Sequence, residues 1–243
     1  MGFRQLISAV LWCTALSFFL VVGSGYLLLA LFISPRSLQP LARLACRGLL
    51  GSAGQRFRMS GTFPPLESGP YIYMFNHSSM LDTFVMMSVV PEFVGAVGKR
   101  EQFEIPIWGH ILRRWGAVPI DRHQLQDAIH RLGKVEEAVR GGLSLLIAPE
   151  GTRSPDGTLG ALKKGPFHVA INTGAPIVPV AIRGAYHAKH KGSWLFRPGT
   201  IEVVVGAPLV SGAQSLDTVE GLRDAVAGSL EQMLGATQST ESA

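Results

Sequence analysis

The chain has 243 residues, 47% of them hydrophobic, and carries 22 lysines and arginines against 17 acids for a net charge of +5. That length fits one domain or a domain with an anchor, and the positive balance favours anionic partners such as phosphorylated ligands and anionic lipid. Two cysteines, Cys13 and Cys46, build neither a disulfide framework nor a metal site, and the basic residues are too scattered for a nucleic-acid face.

No charge falls between Arg4 and Arg36. The 28 residues from Leu6 to Ile33 would make about 42 Å of helix at ~1.5 Å per residue, more than a hydrocarbon core of about 30 Å requires. Two arrangements are open: a tilted span, or a helix broken at Gly23-Ser24-Gly25 whose halves dip into one leaflet. Arg36, Arg43 and Arg47 follow the stretch, which predicts a cytoplasmic side for the rest of the chain. Residues 41–50 alternate bulky apolar and basic side chains at helical spacing, as a segment lying on an anionic membrane surface does. Residues 1–50 are therefore expected to be membrane-anchoring or interfacial helices, 51–235 a folded domain, and 236–243 a mobile tail.

Residues 51–70 are rich in Gly and Pro and read as a connector with one strand near Phe57–Met59. Tyr71–Phe75 is an apolar run typical of a buried strand. A helix is predicted from Leu81 to Val90, stopped by Pro91, then a strand at Phe93–Val97. A helix over Ile105–Trp115 has Pro106 in its first turn. A strand at Ala117–Ile120, a helix at Gln124–Arg140 and a continuous apolar strand at Leu143–Ala148 come next. Lys163–Thr173 is helical, Ile177–Ile182 and Thr200–Val205 are strands, and Asp217–Leu234 is the last helix. Strands alternating with helices predict an α/β fold with a largely parallel sheet flanked by helices, whose ligands sit beyond the carboxyl ends of the strands.

Three such strand ends carry chemistry. The first is Asn76-His77-Ser78-Ser79-Met80-Leu81-Asp82. A turn into a helix, with Ser78 or Ser79 as cap, lets Asp82 bond one ring nitrogen of His77 and leaves the other as a base. The second is Gly98-Lys99-Arg100-Glu101, two adjacent cations after a strand. The third is Pro149-Glu150-Gly151-Thr152-Arg153-Ser154, where Gly151 allows close backbone approach and Arg153 offers a fork for phosphate oxygens. Glu150 either holds Arg153 in a salt bridge or accepts from a ligand hydroxyl. No serine lies in a nucleophile elbow, and Gly98-Lys99 lacks the glycine spacing of a P-loop. His187 and His190 flank Lys189 in a basic loop and read as solvated. The chemistry left is a base that deprotonates an alcohol on a phosphorylated acceptor, which then attacks an activated carbonyl directly.

The first stretch resembles the N-H-x-x-x-x-D block of the glycerolipid acyltransferases, especially bacterial 1-acyl-sn-glycerol-3-phosphate acyltransferases. Lys99 to Arg122, with Pro106, Gly109 and Gly116 between, resembles the second block of that family. Pro149–Ser154 resembles the third block and Val178–Ile182 the fourth. The resemblance runs from about Tyr71 to Pro208. It departs at Gln102, where leucine is usual, and at Ala148, where phenylalanine precedes Pro-Glu-Gly. The resemblance implies transfer of an acyl group from acyl-CoA or acyl carrier protein to the sn-2 hydroxyl of lysophosphatidate at a bilayer, with no cofactor and no metal. In it His77 is the general base and Asp82 orients it. Lys99 and Arg153, with Arg100, bind the phosphate, while Asn76, Glu150, Gly151 and Thr152 shape the acceptor site. Two other readings are an acyltransferase for another lysolipid, such as lyso-ornithine lipid, and a non-catalytic lipid-binding membrane protein.

Overall fold

Strands that bury side chains on both faces need helices on both faces, and this chain supplies them. In a computed structural model that describes residues 2–120, 125–211 and 216–235 (backbone only for 97–99, 119–120 and 125–131), seven strands form one sheet. They are β1 (Gln55–Ser60), β2 (Ile72–Phe75), β3 (Val94–Lys99), β4 (Val118–Ile120), β5 (Ser144–Ile147), β6 (Ile177–Arg183) and β7 (Gly199–Val205). Their spatial order is β1-β7-β6-β2-β5-β3-β4. Strands β2 to β6 run parallel; β7 is antiparallel to β6 and carries the parallel edge strand β1. The expected largely parallel sheet is present. The predicted tail at 236–243 and Arg122 lie outside the described residues.

Alternation along β2 divides the core. Tyr73 and Phe75 face α3 (Asp82–Val89), with Val85 and Met86 fully buried there. Ile72 and Met74 face α5 (Leu125–Arg140), α6 (Gly165–Thr173) and α8 (Val219–Gly235), through Val139, Phe167 and Val226.

The apolar N-terminal stretch is one helix, α1 (Phe3–Phe32), unbroken at Gly23-Ser24-Gly25. Gly23 is instead a packing site: a Cβ there would come within 3.2 Å of Ile107 Cγ2. Helix α1 touches the domain along its length. Near its start Trp12 Nε1 donates to Trp194 O, and near its end Trp115 Nε1 donates to Tyr26 Oη and Arg114 Nε to Ala30 O. It therefore lies against the domain, with Leu16, Leu20, Val21, Leu28, Leu31 and Phe32 exposed on its far side.

Helix α2 (Gln39–Ser52) gives its basic residues partners within the protein. Arg43 and Arg47 both hydrogen-bond the domain. With Gln39 they recur every four residues and so share one face. That face closes the carboxyl end of α3: Gln39 Nε2 donates to Val90 O and Glu92 O, Arg43 Nη2 to Val89 O and Arg47 Nε to Ser88 O. Cations at a helix carboxyl terminus are also favoured by its dipole. Helix α4 (Trp108–Arg114) starts later than predicted, after a 3-10 turn at Arg100–Glu104, so Pro106 precedes it. Gly109 fits here because a Cβ would lie 2.1 Å from Phe103 O.

Replacing buried Gln39 by Ala leaves two carbonyls without their donor and is expected to lower stability by about 1–3 kcal/mol. Leu44→Ala, on the exposed face of the same helix, is expected to stay within about 0.5 kcal/mol. Urea unfolding of both variants measures the difference.

Candidate active site

Four loops leave the carboxyl edge of the sheet side by side, after β6, β2, β5 and β3. The turn after β2 is the most constrained. Asp82, the first residue of α3, is fully buried, and its Oδ2 takes three contacts: Ser78 N–H at 2.7 Å, Ser79 N–H at 2.7 Å and His77 Nδ1 at 2.9 Å. The expected capping is thus inverted. The serine side chains do not cap the helix; the helix's first carboxylate gathers the serine backbone. A carboxylate on Nδ1 fixes a proton there and leaves Nε2 as the basic nitrogen. The His77 side chain is 23% exposed, enough for a substrate hydroxyl to reach it.

The loop after β5 holds the backbone of His77 from both sides. Glu150 Oε1 accepts His77 N–H at 2.5 Å, and Ser154 N–H donates to His77 O at 2.7 Å. Glu150 Oε2 accepts Gly160 N–H at 2.8 Å. Both oxygens of this buried carboxylate therefore serve the backbone, and the alternative of a Glu150–Arg153 salt bridge is not what the structure has. Arg153, half-buried, makes no hydrogen bond or ion pair among the described residues. Gly151 has φ +73°, and the Lys163 side chain crosses it where a Cβ would sit, 2.9 Å from its Cε. Thr152 is exposed beside it.

Asn76 turns inward. Its Nδ2 donates to Ile182 O and its Oδ1 accepts Ile182 N–H, so it joins the end of β2 to β6. Lys99 ends β3 and its side chain is outside the described residues; Arg100 follows, exposed, in the 3-10 turn.

The loop after β6 was not read as part of the site. It begins with α7 (Ala185–Ala188). Ser79 Oγ donates to Lys189 O at 2.7 Å, and Tyr186 Oη to Pro155 O at 3.0 Å. His190 is half-buried, stacked on Tyr186 with ring centres 5.1 Å apart and paired through its backbone with Ser79. The signal in the sequence was slight: a glycine, Gly184, after an apolar strand.

The chain is similar to known proteins throughout this region. The family profile described as Acyltransferase matches residues 56–183, more than half of the chain. A 1-acyl-sn-glycerol-3-phosphate acyltransferase of Pseudomonas aeruginosa is 34% identical over 155 residues, 63% of this chain and 59% of that protein. The chloroplastic 1-acyl-sn-glycerol-3-phosphate acyltransferase BAT2 of Brassica napus is 34% identical over 146 residues, 60% of this chain and 42% of that one. The match thus spans about half the length of these relatives. In three dimensions the chain is similar to the crystal structure of the 1-acyl-sn-glycerophosphate (LPA) acyltransferase PlsC from Thermotoga maritima. The TM-score is 0.79 at 23% identity, covering 97% of each chain.

Burial lifts the Glu150 carboxyl above its ordinary range, against two backbone donors that pull it down. The folded chain therefore holds a proton that the unfolded chain has released, over the window from the ordinary glutamate value of about 4.3 up to the raised one. Stability from this group is full below that window and is lost as pH rises through it. Glu150→Gln is expected to abolish that slope. It also sets an amide N–H against a backbone donor, at a cost of about 1–3 kcal/mol. Melting temperatures of wild type and variant between about pH 4 and 7 measure both effects.

Proposed function

The chain belongs to the acyltransferase family, and on that premise we propose that it moves a fatty acyl group from acyl-CoA or acyl carrier protein to the sn-2 hydroxyl of 1-acyl-glycerol-3-phosphate, giving phosphatidate. The observation that carries this reading is the His77–Asp82 contact of 2.9 Å at a strand end, with no hydrogen bond to the second ring nitrogen among the described residues. In this mechanism Nε2 of His77 takes the acceptor hydroxyl proton as the oxygen attacks the thioester carbonyl. The tetrahedral intermediate collapses, expels the thiolate, and the imidazolium returns the proton to sulfur. Asp82 stabilises the imidazolium while it lasts. No enzyme nucleophile takes part, so the two substrates must meet directly over His77.

Arg153, which makes no hydrogen bond or ion pair among the described residues, offers its guanidinium to the acceptor phosphate, joined by Lys99 and Arg100 from the neighbouring loop. Gly151 and Thr152 line the approach. Glu150 supports the site by fixing the His77 backbone. Residues of α1 to α4, including Phe19, Val22, Cys46, Phe84, Met87 and Trp108, surround an apolar cavity of about 60 Å³. Phe84 and Met87 stand on α3, the helix that Asp82 opens, and we place one stretch of the acyl chain there, the cavity being smaller than a whole chain.

The 30-residue α1 is long and apolar enough to cross a membrane, with a mean hydropathy of 2.2 over its best stretch. Because it contacts the domain at both ends, we assign it instead to the plane of the interface, its exposed leucines in one leaflet and the site on the cytoplasmic side. Lysolipid and product then stay in the bilayer throughout.

His77→Ala is expected to lose roughly 10²–10⁴ in rate with folding and membrane binding unchanged; near-normal turnover by the folded variant would remove this mechanism. Arg153→Ala is expected to weaken use of lysophosphatidate by about 10–200-fold, from loss of a charge-assisted contact of ~1.5–3 kcal/mol. That loss should appear in the acceptor KM. Steady-state kinetics with lysophosphatidate and lyso-ornithine lipid separate the acceptors: wild type active only on lyso-ornithine lipid would overturn the phosphate assignment. Serine at Leu16, Leu20, Leu28 and Leu31 together should shift the protein from sedimented vesicles to the supernatant; unchanged binding would place the membrane contact elsewhere.

A further inference from the structure

The loop after β6 carries a buried cation that the reaction above does not use. Lys189 is only 7% exposed. Among the described residues no carboxylate pairs with it; Nζ donates to the carbonyls of His190 and Ser193 and lies 6.0 Å from the centre of the Trp12 ring. Burial, and Arg153 nearby, draw its pKa down from the ordinary lysine range. A methionine or leucine would fill the same space without the cost of burying an ammonium. The charge must therefore do something that packing alone does not.

Its hydrogen bonds show what. By gathering two carbonyls Nζ folds residues 189–193 into a tight loop, closed behind by Arg197 N–H on Ala188 O at 3.0 Å. Folded in this way, the loop presents one carbonyl to each of two elements. Lys189 O accepts from Ser79 Oγ at 2.7 Å, and Trp194 O accepts from Trp12 Nε1 at 2.5 Å. Helix α1 grips the loop again through Ser8 Oγ, which accepts Phe196 N–H at 2.9 Å, and through the Trp12 and Phe196 rings, 4.5 Å apart. At the other end Ser79 has two roles. Its hydroxyl holds Lys189 O, and its N–H is one of the three donors on Asp82 Oδ2.

We propose that Lys189 is a positioning residue that fixes the His77–Asp82 turn against α1, through Ser79 on one side and Trp12 on the other. Helix α1 is then part of the frame that aims the imidazole as well as an anchor. This rests on the reading of His77 and Asp82 as the reacting pair. Loss of the ammonium lets the loop relax, Ser79 drifts, and Asp82 loses a donor that holds its oxygen in line with Nδ1.

The test uses the full chain in vesicles of phosphatidylethanolamine and phosphatidylglycerol. Two quantities are read: the kcat and KM values, and the downfield proton resonance of His77 Nδ1–H, assigned by its absence in His77→Gln and read in detergent micelles. Lys189→Met and Ser79→Ala are expected to lower kcat by about 10–100-fold, with both KM values within about twofold. Both should broaden or abolish the resonance while the far-UV spectrum is unchanged. Lys189→Arg should restore part of kcat, Trp12→Phe should lie between wild type and Lys189→Met, and Lys191→Met, on the exposed neighbour, should match wild type. The proposal is overturned if Lys189→Met keeps both kcat and the resonance. It is equally overturned if Lys189→Met simply unfolds while Ser79→Ala, which removes one hydroxyl, behaves as wild type. If the resonance responds as expected but wild type acylates no lysolipid, the positioning role stands and the acyltransfer reading falls.

Discussion

Everything at the carboxyl edge of the sheet depends on one carboxylate oxygen. Asp82 Oδ2 accepts from two backbone donors and meets the ring of His77, while the other oxygen of the same group, Oδ1, is buried with no partner among the described residues. Such crowding on one oxygen and neglect of the other are costly in a buried group. They persist because the surroundings dictate them: Glu150 and Ser154 fix the His77 backbone, Asn76 pins the end of β2, and α2 closes the far end of α3. The imidazole is left with little freedom except at Nε2. That is the preorganisation a general base needs, and it is built mainly from backbone groups.

The frame around that turn is assembled from both ends of the chain. Helix α2 caps α3 with two arginines and a glutamine, and α1 reaches the turn through the loop after β6. An anchor that stood apart from the domain would need no such contacts. Here the segments with the most apolar surface also support the turn that holds His77 and Asp82. The apolar cavity between α1, α2, α3 and α4 lies where those two duties meet.

The sequence made much of this legible where side-chain type and short spacing carry the information. Strands buried on both faces announce themselves as unbroken apolar runs, and β2, β5 and β6 did so. His77 and Asp82 declare their pairing because a turn into a helix is the economical way to join them. Glu150 did not, since its partners are the N–H groups of residues 77 and 160, and a backbone donor leaves no mark on composition. Arg153, close by and of opposite charge, was the natural guess. The partners of Arg43 and Arg47 were hidden for a related reason: amphipathic spacing shows that a helix has two faces but not what the polar one meets. The glycines at 23 and 25 suggested a break, yet Gly23 is there for close approach to Ile107. The loop after β6 was passed over because it contributes carbonyls and one hidden ammonium rather than a cluster of reactive side chains.

The pairing of the edge strand has a consequence for how the chain is made. Among the described strands β1 is bonded only to β7, with Gln55 opposite Gly199, 144 positions away. At a synthesis rate of roughly 5–20 residues per second, β7 emerges about 7–30 s after β1. During that interval α1 is already outside the ribosome, while Trp194 and Phe196, which it packs against, are still to come. A bilayer, where one is at hand, can receive the exposed apolar face of α1. A chain that meets a membrane at that stage closes its sheet afterwards, onto a segment already in place.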